Sequence, residues 1–254
     1  MKRVLAAAAF AVVFLASAPA MADATQDLNT LMKDYDEATL RLYPSAALYR
    51  GDTRYLDRYE DNLTPQFLAE ARKLSDDFTA RLKAIDRFQL GYQDQLSYDI
   101  FAWTMKDQTD GLALADTFNM LPLDQFGGAH ENFAREMGWR SQFPFNTPAD
   151  YEKAMKRMAG FAHWIDTAIA EMREGMAKGV VQPRFMVERM ITQAGELAGK
   201  AMDDGVFMGP VKNMPATIKG KTRKRVATAY RKAVATTIVP AYKKLGAFLK
   251  NEYL

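Results

Sequence analysis

Two Thr-Pro pairs, each followed by a long helical pattern of apolar residues, restrict the fold of this chain more than any other sequence feature. Thr64 and Thr147 are suitable N-caps, and the proline after each suits the first turn of a helix. After the first pair, apolar residues recur at steps of three and four, at Phe67, Ala71, Leu74, Phe78, Leu82 and Ile85. After the second pair, the same spacing holds for Tyr151, Met155, Met158, Phe161, Ile165, Ile169, Met172 and Met176. The pattern predicts two long helices with one apolar face each.

The remaining segments predict further helices. Apolar spacing and helix-ending residues place them at 25–42, 93–117, 129–138, 184–201, 216–238 and 240–252. Pro240 separates the last two, because proline lacks the N–H that would continue a helix. No segment alternates apolar and polar residues long enough to indicate a strand, and Gly and Pro gather in loops at 119–128, 143–148 and 205–215. The sequence predicts an all-α domain, a multi-helix lobe of roughly eight helices.

The first 22 residues have the composition of a secretory signal peptide. Lys2 and Arg3 form a basic start, the 12 residues Val4 to Leu15 are apolar, and Ala20-Met21-Ala22 fits an A-x-A cleavage site. The apolar run is shorter than the ~18 residues that a membrane-spanning helix needs. We therefore expect cleavage before Asp23, a periplasmic or secreted protein with no integral membrane segment, and one helical domain over residues 23–254.

Charge and composition give no reason to expect a nucleic-acid partner. Removal of Lys2 and Arg3 with the signal peptide lowers the formal net charge from +3 to +1. One face of a predicted helix carries the main basic cluster, which consists of Lys221, Lys224, Arg225, Arg231 and Lys232. This face is either a solvated surface or a contact with anionic lipid or cell-wall polymer. The sequence lacks the basic groove with aromatic residues that is typical of nucleic-acid binding.

The residues themselves identify no catalytic, cofactor-binding or metal-binding site. A zinc peptidase helix needs the motif H-E-x-x-H, in which two histidines on one helical face bind Zn²⁺ and the glutamate acts as general base. His130 and Glu131 begin such a motif, but Ala134 stands where the second histidine belongs. The only other histidine, His163, lies on the polar side of its helix, and the chain has no cysteine. Motifs of serine hydrolases and of phosphate-binding loops are absent as well.

Three short segments in the middle of the chain form a recognisable set. They are Leu121 to His130 (LPLDQFGGAH), Asp150 to Glu152 (DYE) and Gly179 to Arg184 (GVVQPR). Together these segments resemble the N-terminal half of the domain-of-unknown-function 885 proteins, a bacterial and mostly exported family whose members look like helical zinc metallopeptidases. The resemblance extends from about Tyr35 to Leu254.

The resemblance implies a function that this chain carries only in part. In complete family members a downstream half with the motif H-E-x-x-H binds zinc and hydrolyses peptides, and the chain does not reach that half. We therefore expect an exported lobe without a cofactor or peptidase activity of its own, a truncated or split form of the enzyme. Its partner would be a separate C-terminal catalytic half or a second copy, with peptide as substrate only after completion. The alternative is a free-standing periplasmic binding or interaction module.

Two interpretations of the segment 121–130 are open. In the first it is a structural loop whose glycines permit a tight turn, and its inward-facing apolar side chains are Leu121, Leu123 and Phe126. In the second it borders the cleft that the catalytic half completes, and the side chains lining that cleft are Asp124, Gln125 and His130. Arg184 at the end of the third segment is likewise open, since it suits either a substrate carboxylate or an internal Asp or Glu.

The last predicted helix is a candidate interface with a partner. It carries Leu245, Phe248 and Leu249, and no polar closing segment follows it. In a complete family member the polypeptide would continue from here into the catalytic half. We therefore expect some of these apolar side chains to be exposed and to contact a partner or a second copy.

Overall fold

Helices make up almost all of the described chain. The computed structural model describes residues 17–202 and 204–254, with side chains from residue 23 onward. The α-helices are α1 (Ser17–Leu42), α2 (Pro44–Tyr49), α3 (Pro65–Lys83), α4 (Tyr92–Ala113), α5 (Ala115–Phe118), α6 (Ala129–Glu136), α7 (Pro148–Lys178), α8 (Arg184–Lys200), α9 (Gly209–Lys212), α10 (Gly220–Ala233) and α11 (Val239–Phe248). Short 3-10 turns lie at Arg87–Gln89 and Val206–Met208, and π-helical turns at Val234–Ile238 and Leu249–Tyr253. No strand occurs in the two described ranges, and the predicted all-α fold is confirmed.

The helices α3 and α7 begin where the Thr-Pro pairs predict. The hydroxyl of Thr64 accepts a hydrogen bond from the backbone N–H of Phe67 at 3.2 Å. Thr147 accepts one from the N–H of Asp150 at 3.3 Å, and the carboxylate of Asp150 accepts one from the N–H of Thr147 at 2.8 Å. Gly179 ends α7 with a φ of +74°, a conformation that favours glycine. With 31 residues, α7 is the longest helix described and is ~46 Å long.

The prediction that Pro240 separates two helices is wrong. The helix α10, the π-helical turn Val234–Ile238 and α11 follow one another without a break, and Pro240 lies in the first turn of α11. In a regular α-helix the proline ring would clash with the carbonyl four residues earlier. The π-turn directly before the proline widens the spacing of these groups, so the helix continues past it.

The described side chains form two apolar cores. The larger is built mainly on α6, α7, α8, α10 and α11, and near its centre the rings of Phe133 and Phe161 stack with centroids 3.9 Å apart. The smaller lies between α1, α3 and α4, where Leu28, Phe78 and Phe101 are buried. The first three long helices therefore form a small bundle beside the larger core.

The side chains of the last helix are buried within the chain, which corrects the expected exposure. Leu245, Phe248 and Leu249 are 0%, 3% and 0% exposed. The helix α11 packs along α8, and the guanidinium of Arg173 from α7 lies over the ring of Phe248 at 5.2 Å. These three residues offer no free apolar surface, because α7 and α8 already cover the face that we assigned to a partner.

Most of the predicted signal peptide lies outside the described residues. Residues 1–16 are not described, and the backbone of 17–22, which includes the predicted cleavage site, belongs to α1. None of the described helices is long and apolar enough to cross a membrane. Cleavage before Asp23 stays a prediction.

Candidate functional site

The segment 121–130 is a tight turn that leads into α6. One carboxylate oxygen of Asp124 accepts hydrogen bonds from the backbone N–H groups of Phe126, at 2.7 Å, and Gly127, at 3.0 Å. Such a turn is typical of aspartate, whose short side chain reaches the backbone two residues on. The side chain of Asp124 therefore shapes its own loop. Gln182, from the segment before α8, fixes the same loop by donating to the carbonyl of Leu123 at 2.8 Å.

Gly128 allows this turn to close over His130. A Cβ atom at this position would lie 2.8 Å from the carbonyl oxygen of Asp124 and 2.9 Å from Nδ1 of His130. Both distances are shorter than the contacts that Cβ atoms make in proteins. The carbonyl oxygen of Asp124 cannot move away without opening the turn. The second glycine of the segment is thus required by packing, as the structural-loop interpretation predicts.

His130 is buried and is held by groups from two other helices. Its Nε2 lies 3.2 Å from Oε1 of Gln193 on α8, and its backbone carbonyl accepts a hydrogen bond from the hydroxyl of Tyr242 on α11. Because the amide oxygen of Gln193 can only accept, Nε2 carries the proton of the imidazole. Burial lowers the pKa of His130, which keeps the ring neutral. Its Nδ1 has no hydrogen-bond partner among the described residues.

A cleft of about 400 Å³ opens between α6 and α8, directly beside this histidine. Gln193 connects the cleft to the histidine and its loop. Its side chain lines the cleft, contacts His130, and donates to the backbone carbonyl of Gln125 at 3.0 Å. The charged side chains of the cleft are Glu131, Arg189, Glu196, Lys200 and Asp204, and its apolar surface comes from Leu197 and Val206. The volume lies within the range of small-ligand sites.

The cleft carries both signs of charge. Lys200 pairs with Glu196 at 3.6 Å, and Asp204 pairs with Lys212 outside the cleft. Glu131 of α6 and Arg189 of α8 both line the cleft, and neither belongs to an ion pair among the described residues. A cleft lined by an unpaired guanidinium, an unpaired carboxylate and apolar side chains suits a ligand with a positive and a negative end.

None of the predicted cleft residues is among the side chains that form the walls of this cleft. Asp124 binds its own loop, Gln125 contributes its carbonyl to Gln193, and His130 lies behind Gln193. Arg184 begins α8 and pairs with Glu188 one turn later, at 3.0 Å. Leu123 is 1% exposed as predicted, but Phe126 is 79% exposed, so its predicted inward packing is wrong. Hydrogen bonds from the backbone N–H groups of Phe126 and Gly127 to Asp124 fix the turn, and the ring of Phe126 lies outside it.

Glu131, Arg189 and Gln193 are the cleft residues that sequence reasoning missed. Glu131 had one signal, since it follows His130 in the incomplete zinc motif. Arg189 and Gln193 had none, because they lie about 60 residues from the loop and reach it only through the packing of α8 on α6.

Two arginines of α10, one of them on its basic face, bind groups of the same chain. Arg223 donates to the backbone carbonyls of Met214, at 3.1 Å, and Pro215, at 3.0 Å, in the preceding loop. Arg225 pairs with Glu152 on α7 at 3.2 Å. These bonds attach α10 to its neighbours, while contact of residues 221–232 with an anionic surface stays a prediction.

The described residues do not fit the zinc ion that the family resemblance implies. No group of three or more His, Cys, Asp and Glu side chains among them is close enough to hold a metal ion. Nε2 of His130 faces Gln193, and exposed His163 lies 3.6 Å from Asp61. We therefore derive no chemical step through a metal at these residues.

The chain matches a known family of proteins. A family model described as "Bacterial protein of unknown function (DUF885)" matches residues 44–254, which is most of the chain. No curated protein matches the chain. The matched range includes the loop 121–130, the residues that line the cleft and the buried His130.

Proposed function

The chain belongs to the bacterial DUF885 family, and from this membership and the geometry of the cleft between α6 and α8 we propose that it is an exported, metallopeptidase-like domain that binds peptides. The cleft is the main support for this function. It has the volume of a small-ligand site, carries both signs of charge, and rests on the loop that holds most of the family resemblance.

The two walls provide the chemistry to bind the ends of a short peptide. Arg189 on α8 presents a guanidinium, which binds a carboxylate through two parallel hydrogen bonds. Glu131 on α6 presents a carboxylate that suits an ammonium group. Leu197 and Val206 offer apolar surface to side chains of the ligand, and Gln193, held by His130 and the carbonyl of Gln125, lines the cleft beside them. We assign Arg189 to the C-terminal carboxylate and Glu131 to the N-terminal amine.

These residues contribute binding and not hydrolysis. The sequence contains no H-E-x-x-H motif, and the described residues provide no ligand set for zinc. Hydrolysis would require a metal site that the described residues of this sequence do not supply. The basic start, apolar run and A-x-A site of the first 22 residues support export to the periplasm or the medium.

Titration calorimetry with tri-alanine, its N-acetyl form and its C-terminal amide tests this assignment. We expect saturable binding of tri-alanine and weaker binding of both capped forms. Arg189→Ala should weaken tri-alanine binding by about 10- to 100-fold, because a hydrogen bond to a charged group contributes ~1.5–3 kcal/mol. In that variant, amidation of the peptide should have little further effect, because both changes remove the same contact.

Arg184→Ala is the matched control. Arg184 lies on the same helix and is exposed, but it pairs with Glu188 outside the cleft. This variant should bind tri-alanine like the wild type. Equal losses in Arg184→Ala and Arg189→Ala, or wild-type protein without saturable peptide binding at millimolar concentration, would refute the proposal.

A further inference from the structure

The N-terminal half of α4 carries a row of exposed apolar side chains. Tyr92, Leu96, Ile100 and Trp103 are 80%, 48%, 56% and 66% exposed. Steps of four, four and three residues place all four on one face of the helix, along ~16 Å of its length. We call these four residues the α4 stripe.

The opposite face of α4 is also apolar and is already used. Phe101 and Met105 are buried in the smaller core, against α1 and α3. The hydroxyl of Thr25 on α1 donates to Asp94 at 2.7 Å, and that of Tyr35 donates to Gln108 at 3.2 Å, so α1 runs along α4 on that side. A helix that is apolar on two sides is normally covered on both. No described residue buries the α4 stripe.

We propose that the α4 stripe is the contact between two copies of this chain, paired antiparallel about a two-fold axis. In such a contact the same residues meet in reciprocal pairs. The stripe has the symmetry that this requires. When Leu96 lies opposite Ile100 of the second copy, Tyr92 lies opposite Trp103 of that copy at nearly the same register. Each large aromatic ring then meets another aromatic ring, and the smaller aliphatic residues meet at the centre.

The area of the stripe agrees with what a stable dimer needs. Aromatic side chains bury roughly 150–250 Å² each. With the exposures of the four residues, the stripe offers apolar surface on the order of 500 Å² per chain. Because a little over half of an interface is apolar, this corresponds to about 800 Å² per partner, the usual value for a specific interface.

Sedimentation velocity on protein expressed from residues 1–254 tests the dimer. Wild-type protein at tens of micromolar should sediment as a dimer, and Ile100→Asp should sediment as a monomer with unchanged helical circular dichroism. Phe118→Asp is the control, because Phe118 is 63% exposed but lies outside the stripe. It should remain dimeric. A monomeric wild type would overturn the proposal, and so would dissociation of the dimer by Phe118→Asp.

Cross-linking tests the register independently of folding defects. The chain has no cysteine, so only introduced thiols react. A mixture of Tyr92→Cys and Trp103→Cys proteins should form a covalent dimer with a short bismaleimide, since these positions face each other across the axis. Tyr92→Cys alone should not, because its two copies would be separated by eleven residues of helix, ~16 Å. Efficient cross-linking of Tyr92→Cys with itself would indicate a parallel pair and refute the arrangement.

Discussion

Arg157 of α7 and Glu136 of α6 form an ion pair inside the protein. Nη2 of Arg157 lies 2.9 Å from Oε2 of Glu136, and the two side chains are 0% and 5% exposed. The guanidinium also donates to the hydroxyl of Ser45, at 2.9 Å, and to the carbonyl of Arg58, and it lies over the ring of Tyr59 at 5.1 Å. This one side chain therefore joins α2 and the segment after it to α6 and α7.

A second, partly buried carboxylate extends the network. Glu60 accepts hydrogen bonds from the hydroxyl of Ser45, at 2.8 Å, and from its backbone N–H, at 3.1 Å. Burial raises the pKa of Glu60, because a carboxylate loses hydration inside the protein. Two carboxylates and one guanidinium thus share this interior, and Ser45 connects them.

Glu136→Gln should reduce the free energy of unfolding by about 3 kcal/mol or more, because it removes the carboxylate that pairs directly with the buried charge of Arg157. Urea unfolding followed by far-UV circular dichroism measures this change. The double variant Glu136→Leu with Arg157→Met should recover much of the loss, since it removes both charges. A double variant that is much less stable than Glu136→Gln would contradict this account.

Glu252→Gln provides the surface comparison for that experiment. Glu252 binds Arg173 through two hydrogen bonds of 2.9 Å, a geometry as good as that of the buried pair. Both of these side chains are about half exposed. Solvent screens exposed pairs, and we expect a loss below about 1 kcal/mol. The contrast separates the effect of burial from that of hydrogen-bond geometry.

Gly128→Ala and Gly195→Ala should change stability in opposite directions. The added Cβ at position 128 would meet the Asp124 backbone within 3 Å, so the loop must open, and we expect a loss of ~1–3 kcal/mol. Gly195 is exposed in the interior of α8 with nothing within 4 Å, and alanine there should add ~0.5–1 kcal/mol. Melting temperatures of both variants measure this. If the two substitutions changed the melting temperature equally, the loop around Gly128 would not be closely packed.

The buried histidine predicts a loss of stability in mild acid. Burial holds the pKa of His130 below its ordinary value of ~6.5. Below that pH the unfolded chain takes up a proton that the folded chain resists, so the free energy of unfolding decreases as the pH falls from ~6.5 through the folded-state pKa. Above ~6.5 both states are neutral, and this residue adds no pH dependence.

Thermal melts between neutral pH and pH ~5 measure this effect, and His130→Gln should show a smaller decrease than the wild type. The comparison rests on the change with pH, because the substitution itself alters stability. His163→Gln removes the exposed histidine and should keep the full decrease, since His130 is still present. An unchanged pH dependence in His130→Gln would contradict the assignment.

The helices were predictable where their end signals are local. Thr64 and Thr147 cap α3 and α7 as the sequence indicates, since a cap depends only on residues within one turn. The short helix α2, with six residues, shows no periodicity to detect. Continuation past Pro240 was not predictable, because the π-turn before it has no sequence signature of its own.

The site was less predictable, because it depends on contacts between distant segments. The turn at Asp124 and Gly128 follows from residue types within a few positions. The contact of His130 with Gln193 spans 63 positions and arises only when α8 packs on α6. Arg157 was missed for a related reason. A charged residue between apolar ones is usually exposed, and only the fold brings Glu136 and Ser45 to it.

Replacement of Ala22 by leucine should block removal of the predicted signal peptide, because an A-x-A cleavage site requires a small residue at its last position. Wild-type protein recovered from the periplasm or the medium of a bacterial host should lack residues 1–22 and begin at Asp23. The Ala22→Leu protein should keep the mass of the full chain and remain with the membrane fraction. Met21→Leu changes the tolerant middle position and should be processed normally. Intact-mass spectrometry distinguishes these forms, and exported wild-type protein that retains Met1 would refute both the cleavage site and the proposed route of export.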